Sequence, residues 1–160
     1  MVCLSAEIVI PRKPNLVFSV LADIGAYTTW VEGLREVEHL SGPIFDEGST
    51  FDVTFTVGSK KIHATTAISR LRESAFLATE TRVRERLVLL DRIELAPCAE
   101  GTVCSATSEL VEDGGVFRLL SRSTGLLGAS EPERGPQKIY ERSFRALNLL
   151  VLARTAAPYR

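Results

Sequence analysis

Asp91 is the residue of this chain whose placement asks most plainly for chemistry. It stands in the run Leu87, Leu89, Asp91, Ile93 and Leu95, alternate positions that a β-strand puts on one face. A carboxylate on an otherwise apolar face costs several kcal/mol unless it is paired, hydrogen-bonded or neutral. Three arrangements meet that demand. Asp91 orients a ligand or acts as a general base; or it pairs with Arg82 or Arg92; or a β-bulge turns it out to solvent. Arg82 is itself a candidate to meet a phenolate or carboxylate. Its strand offers two competing core faces, Phe76 with Ala78 or Leu77 with Val83, so its direction stays open. Tyr27 and Trp30 lie three residues apart, on one face of a short helix. Each has an apolar body and one hydrogen-bonding tip. That suits a stacking platform for a flat ligand, and equally the packing of a helix on a sheet. In any catalysis Asp91, Arg82, Tyr27 or a bound water would carry the protons.

The other reactive residues exclude more than they offer. His39 and His63 are far apart, in polar surroundings, with no Asp, Glu or Cys at metal-ligand spacing, so no metal is expected. There is no G-x-S-x-G elbow, no G-x-G-x-x-G and no P-loop, and no cofactor is expected. The glycine-bounded stretch from Gly42 to Gly48 holds Asp46 and Glu47, a poor cradle for phosphate. Cys3, Cys98 and Cys104 are odd in number and form no C-x-x-C, which favours free thiols and a reducing compartment. A cross-strand Cys98–Cys104 disulfide is the alternative.

Composition bounds the partners. At 160 residues, 45% hydrophobic and 24% charged, the chain reads as one globular domain spanning 1–160. A net charge of −1 gives no electrostatic footprint for nucleic acid. No signal peptide or membrane-spanning run is read, so the expectation is a cytoplasmic protein without membrane insertion, monomeric or weakly dimeric.

The elements that must position these residues follow from periodicity. A strand at 6–10 stops at Pro11, and Pro14 opens a helix with Val17, Phe18, Val20, Leu21 and Ile24 at helical spacing. The short helix of Tyr27 and Trp30 comes next, then a strand at 36–40. Phe51, Val53, Phe55 and Val57 alternate with polar residues in the cleanest strand of the chain. Its hairpin partner places Ile62, Ala64, Thr66 and Ile68 on one face. Strands at 76–83, 87–95 and 102–111 complete a meander. Small inward residues such as Ala64, Thr66 and Ala106 would leave space. The stretch 116–127 has helical spacing, 128–136 breaks it with Gly and Pro, and 137–154 is strongly helical. Ile139, Ser143, Ala146, Leu147, Leu150 and Val151 form its stripe.

Four features together resemble a known family: Val17-Phe18, Asp23-x-x-x-Tyr27-x-x-Trp30, the Gly42–Gly48 stretch and Gly101-Thr102. In that order they resemble the START-like helix-grip superfamily (SRPBCC), nearest its polyketide cyclase/dehydrase-like branch. Two features depart from it. No Pro follows Trp30 closely, and the 128–136 break interrupts what is usually one long helix. The resemblance implies an α+β helix-grip fold: a curved antiparallel sheet of about seven strands around a long C-terminal helix, with two short helices after strand one and an internal cavity. The lining expected from the alternation is Trp30, Phe51, Val53, Phe55, Ile62 and Ala64, with Thr66, Leu87, Leu89 and Asp91, and from the helix Ile139 and Leu147. Two uses of such a cavity follow. One is a container for a hydrophobic, polycyclic or polyketide-derived molecule, as a carrier or as a sequestering self-resistance protein for a product such as an enediyne. The other is an aromatase/cyclase that performs aldol cyclisation and dehydration. Both belong to secondary metabolism, and fold likeness alone does not choose between them.

Overall fold

The computed structural model describes residues 2–57, 59–111 and 136–156. Strand β1 (Val2–Ile10) leads and ends at Pro11. Helix α1 (Pro14–Leu21) opens on a proline, whose missing N–H is no loss in a first turn. Val17, Val20 and Leu21 are its buried face. A single 3-10 turn (Ile24–Ala26) leads into the one-turn helix α2 (Tyr27–Trp30). Six strands follow: β2 (Leu34–Ser41), β3 (Thr50–Val57), β4 (Lys60–Arg72), β5 (Phe76–Val83), β6 (Arg86–Cys98) and β7 (Gly101–Leu110). Helix α3 (Pro136–Arg154) comes last. The helical spacing at 116–127 and all but the last residue of the 128–136 break lie outside the described residues.

The seven strands form one antiparallel sheet in the order β1-β7-β6-β5-β4-β3-β2. It is a meander from β2 to β7, with β1 laid beside β7 from Val2 opposite Leu110 to Ile10 opposite Thr102. The sheet is curved and open. Apolar residues gather in two groups on its concave side. One joins Ile10, Ile93, Leu95, Cys104 and Ala106 of the sheet to Val17, Val20 and Leu21 of α1, Trp30 of α2, and Phe144, Leu147 and Val151 of α3. The other joins Leu34, Phe51, Val53, Ala64, Ile68 and Leu77 at the far side. Helix α3 therefore covers the β1/β7 half and leaves the β3/β4 half to its own side chains.

The cysteines are free. Cys98 stands opposite Gly101 and Cys104 opposite Leu95, so the disulfide alternative is set aside by register. Among the described residues no helix is long and apolar enough to cross a membrane.

Two backbone positions explain features of the sequence. Gly101 has φ +139°, and a Cβ there would run into the Ile10 carbonyl and stand 2.7 Å from the Arg12 nitrogen. The next residue, Thr102, is fully buried and donates its hydroxyl to the Arg12 carbonyl at 2.7 Å. Gly101-Thr102 thus locks the β7 start under the bend that leads into α1. The β5–β6 turn instead puts two side chains in the left-handed region, Arg84 at φ 50° and Glu85 at φ 66°. That is the twist a two-residue hairpin wants, with residues that do not favour it.

Two stability predictions follow from these turns. Gly101→Ala should lower the unfolding free energy in urea by about 2–4 kcal/mol, since backbone rather than a flexible side chain must move. Glu85→Gly should raise it by about 1 kcal/mol. Equal stability of Gly101→Ala and the parent would contradict the close approach.

Candidate functional site

A cavity of about 530 Å³ lies between the concave sheet and helices α2 and α3. Its walls are predominantly apolar. Strand β3 supplies Phe51, Val53 and Phe55, and β4 supplies Ile62, Ala64, Thr66 and Ile68, the faces that simple alternation assigns. Helix α3 supplies Ile139, Tyr140, Ser143 and Phe144. The exposed Glu32 and Arg35 mark the rim. There the Arg142 guanidinium grips Glu32 with two bonds of 2.9 and 3.0 Å, and the Glu32 amide donates to the Ser143 hydroxyl at 3.0 Å.

The Asp23…Tyr27…Trp30 signature joins the first helices to the last. Asp23 accepts from Arg154 at 2.7 Å, and Tyr27 donates its hydroxyl to the Leu21 carbonyl at 2.6 Å. The Tyr27 and Trp30 rings lie 4.8 Å apart, Trp30 and Phe144 5.5 Å, and Phe144 and Tyr140 5.0 Å. All four residues also line the cavity. The two readings of Tyr27 and Trp30 therefore coincide: they are core on one side and wall on the other. The Trp30 indole N–H is buried and has no acceptor among the described residues, a donor whose isolation costs about 1–3 kcal/mol.

Asp91 stands on the cavity floor. In the register Thr79 is opposite it on β5 and Ser108 on β7. Its carboxyl is buried and lines the cavity. Burial pushes its pKa up to about 6, while the Ser108 hydroxyl acts in the opposite direction. It pairs with neither Arg82 nor Arg92. Burial also raises the Tyr27 and Tyr140 phenols far above their ordinary range, and the nearby Asp91 carboxylate raises both further. One rung further along, the Thr66 and Thr81 hydroxyls are 2.8 Å apart. The floor is thus a narrow polar band in an apolar bowl, with a carboxylic acid poised near neutrality.

Three expected residues lie elsewhere. Arg82 points away from the cavity and pairs with Glu80 at 2.9 Å on the outer face. Leu77, Thr79, Thr81 and Val83 take the inner face of β5, which resolves the competing alternations. Leu87 is opposite Arg82, and a register shift between Thr81 and Arg82 displaces it from the wall. The slip leaves Val88 buried and lining the cavity beside Leu89 and Asp91. Leu147 is fully buried in the core under α3, one turn beyond the last lining residue, Phe144. Ala106 belongs to the same core and does not line the cavity. Conversely, Ser108, Tyr140 and Phe144 line the site and are not among the residues expected there. Ser108 follows from Ala106 by alternation, and Tyr140 and Phe144 flank Ser143 at helical spacing. His39 and His63 are on the surface, bonded to the Pro43 carbonyl and the Thr54 hydroxyl.

No protein-family model matches the chain, and no curated protein matches it in sequence. Solved structures do match it in shape. TTHA0849 from Thermus thermophilus superposes with a TM-score of 0.72 at 16% identity, over 97% of this chain and 100% of that one. The Zhui aromatase/cyclase from a Streptomyces species gives 0.71 at 13% identity, over 98% and 96%. Ara h 8.0201 gives 0.64 at 16% identity, over 95% and 98%. At such identities the likeness is one of fold, and the fold of this chain is the helix-grip fold.

Proposed function

We propose that this protein binds a hydrophobic small molecule, polycyclic or polyketide-derived, in the cavity between its sheet and α3, as a carrier or sequestering protein of secondary metabolism. The observation that carries this reading is the cavity itself: about 530 Å³ of apolar wall with a few placed polar groups. Ligand sites of small molecules run to roughly 300–1,000 Å³ and have this composition. The shape shared with an aromatase/cyclase is consistent with it.

A second reading has an observation of its own. Asp91, with a pKa near 6, can take and return a proton at neutral pH, and Tyr27 and Tyr140 stand close by. An aldol cyclisation of a poly-β-keto chain needs a base at an acidic carbon and a folded substrate, and the cavity walls would supply the folding. On that reading Asp91→Asn abolishes turnover of such a chain while binding survives. Arg82→Ala, on the outer face, leaves turnover unchanged.

Two measurements test the site. Trp30 is the chain's single tryptophan and lines the cavity, so its emission reports occupancy. Titration with a dihydroxyanthraquinone should quench it saturably at one ligand per chain. Ala64→Phe, which fills the bowl, should weaken that binding about tenfold or more, a loss of about 1.4 kcal/mol. No saturable quenching in the parent protein would refute the container reading.

The second concerns pH. The Asp91 carboxyl titrates above its ordinary 3.8, near 6, in the folded protein, so folding favours the protonated form. Its contribution to stability is fully present below about pH 4 and is lost as pH rises through 6. A rise of that size is worth at most about 3 kcal/mol. Asp91→Asn should therefore gain stability relative to the parent between pH 4 and 6.5 by about 1–3 kcal/mol. A constant difference across that window would show that Asp91 is solvated.

A further inference from the structure

Asp91 is a buried acid without a counter-charge among the described residues. No ion pair reaches it among the described residues, and only hydroxyl side chains, Thr79 and Ser108, flank it across the ladder. The other two charged residues of the lining are at the rim and already engaged: Glu32 with Arg142, and Arg35 with the Thr56 hydroxyl at 2.7 Å. Above the sheet stands a continuous aromatic wall, Tyr27, Trp30, Phe144 and Tyr140, each ring within 4.8–5.5 Å of the next. Tyr27 and Tyr140 are near enough to Asp91 to feel its charge.

A buried anion next to electron-rich rings is the chemistry that recognises a desolvated organic cation. The carboxylate supplies the counter-charge, and the rings supply cation–π attraction that grows as water is excluded. The apolar remainder of the bowl excludes a small hydrated ion and asks for a hydrophobic body. We propose that the ligand is a hydrophobic amine, a polycyclic or aryl-alkyl body bearing one basic nitrogen, whose ammonium group pairs with the Asp91 carboxylate beneath the Tyr27–Tyr140 wall. This rests on the container reading and narrows its ligand class. Binding is non-covalent: the ligand enters as its ammonium, and Asp91 is held ionised by the pair. A neutral ligand would leave the buried carboxyl to be protonated, and an anionic one would be repelled by it.

A matched pair of probes separates this from the container reading. Naphthylmethylamine and naphthylmethanol differ in the charged group and little else, and either can be followed by calorimetry at pH 7.5. The expected result is that the amine binds the parent protein about tenfold or more tighter than the alcohol, as a buried charge-assisted pair requires. Asp91→Asn should abolish that preference. Asp91→Glu, which keeps the charge, should retain the preference. Thermal melts of both variants confirm that each is folded. If the alcohol binds the parent as tightly as the amine, the ammonium pairing is wrong and the container reading stands. If neither probe binds up to its solubility limit, both fall. An amine preference that survives Asp91→Asn would also overturn the assignment.

Discussion

One helix cannot cover a seven-stranded sheet, and the site follows from that mismatch. Seven strands at a spacing of about 4.8 Å make a surface roughly 29 Å across. An α-helix with its side chains is about 10 Å wide. Helix α3 has 19 residues and so is long enough, at about 28 Å, to run the depth of the sheet but not its breadth. It packs on the β1/β7 half, where Leu147 and Val151 are sealed against Cys104 and Ala106. On the other half the sheet curves, and Phe51, Val53, Ala64 and Leu77 pack on one another instead. Between the two apolar groups no element among the described residues fills the concave surface.

The chain then spends specific residues on keeping the hollow in shape. The first helices are tied to the last by Asp23–Arg154 and by Arg12, whose guanidinium bonds the Thr155 hydroxyl at 2.9 Å. The rim is tied by Glu32–Arg142. Exposed pairs such as these contribute little stability individually. Their effect is to fix where α1, α2 and α3 stand, and hence the distance from the aromatic wall to the Asp91 floor. Interior packing is supplied elsewhere, by the sealed core beneath α3.

Much of this was legible in the order of elements, because alternation in β3 and β4 is strict and a strict period places every side chain. The faces of Phe51, Val53, Phe55, Ile62, Ala64 and Thr66 could be read directly. Where the period slips, that legibility ends. The register shift opposite Thr81 and Arg82 inserts Val88 into the wall and removes Leu87, and nothing in a run of Leu-Val-Leu-Leu marks which residue is the extra one. Arg82 was ambiguous for the same reason: both faces of β5 carry apolar residues, and Ala78 is buried on the outer one. Leu147 failed differently. A helix stripe tells which side faces inward but not where the core ends and the hollow begins. Asp91 was legible as an anomaly, yet its solution was not: two arginines nearby in sequence point the other way, and the hydroxyl that meets it comes from a strand seventeen residues on, at Ser108.

Ligand binding in this fold requires a bowl that is empty of protein. A crystal structure of the protein carries the most direct test. The expected map shows Asp91 and Ser108 at the bottom of a hollow bounded by Trp30, Phe144 and Ala64, holding ordered solvent or a guest. Aliphatic or aromatic side chains interlocked across that space, with Asp91 turned to bulk water, would contradict it.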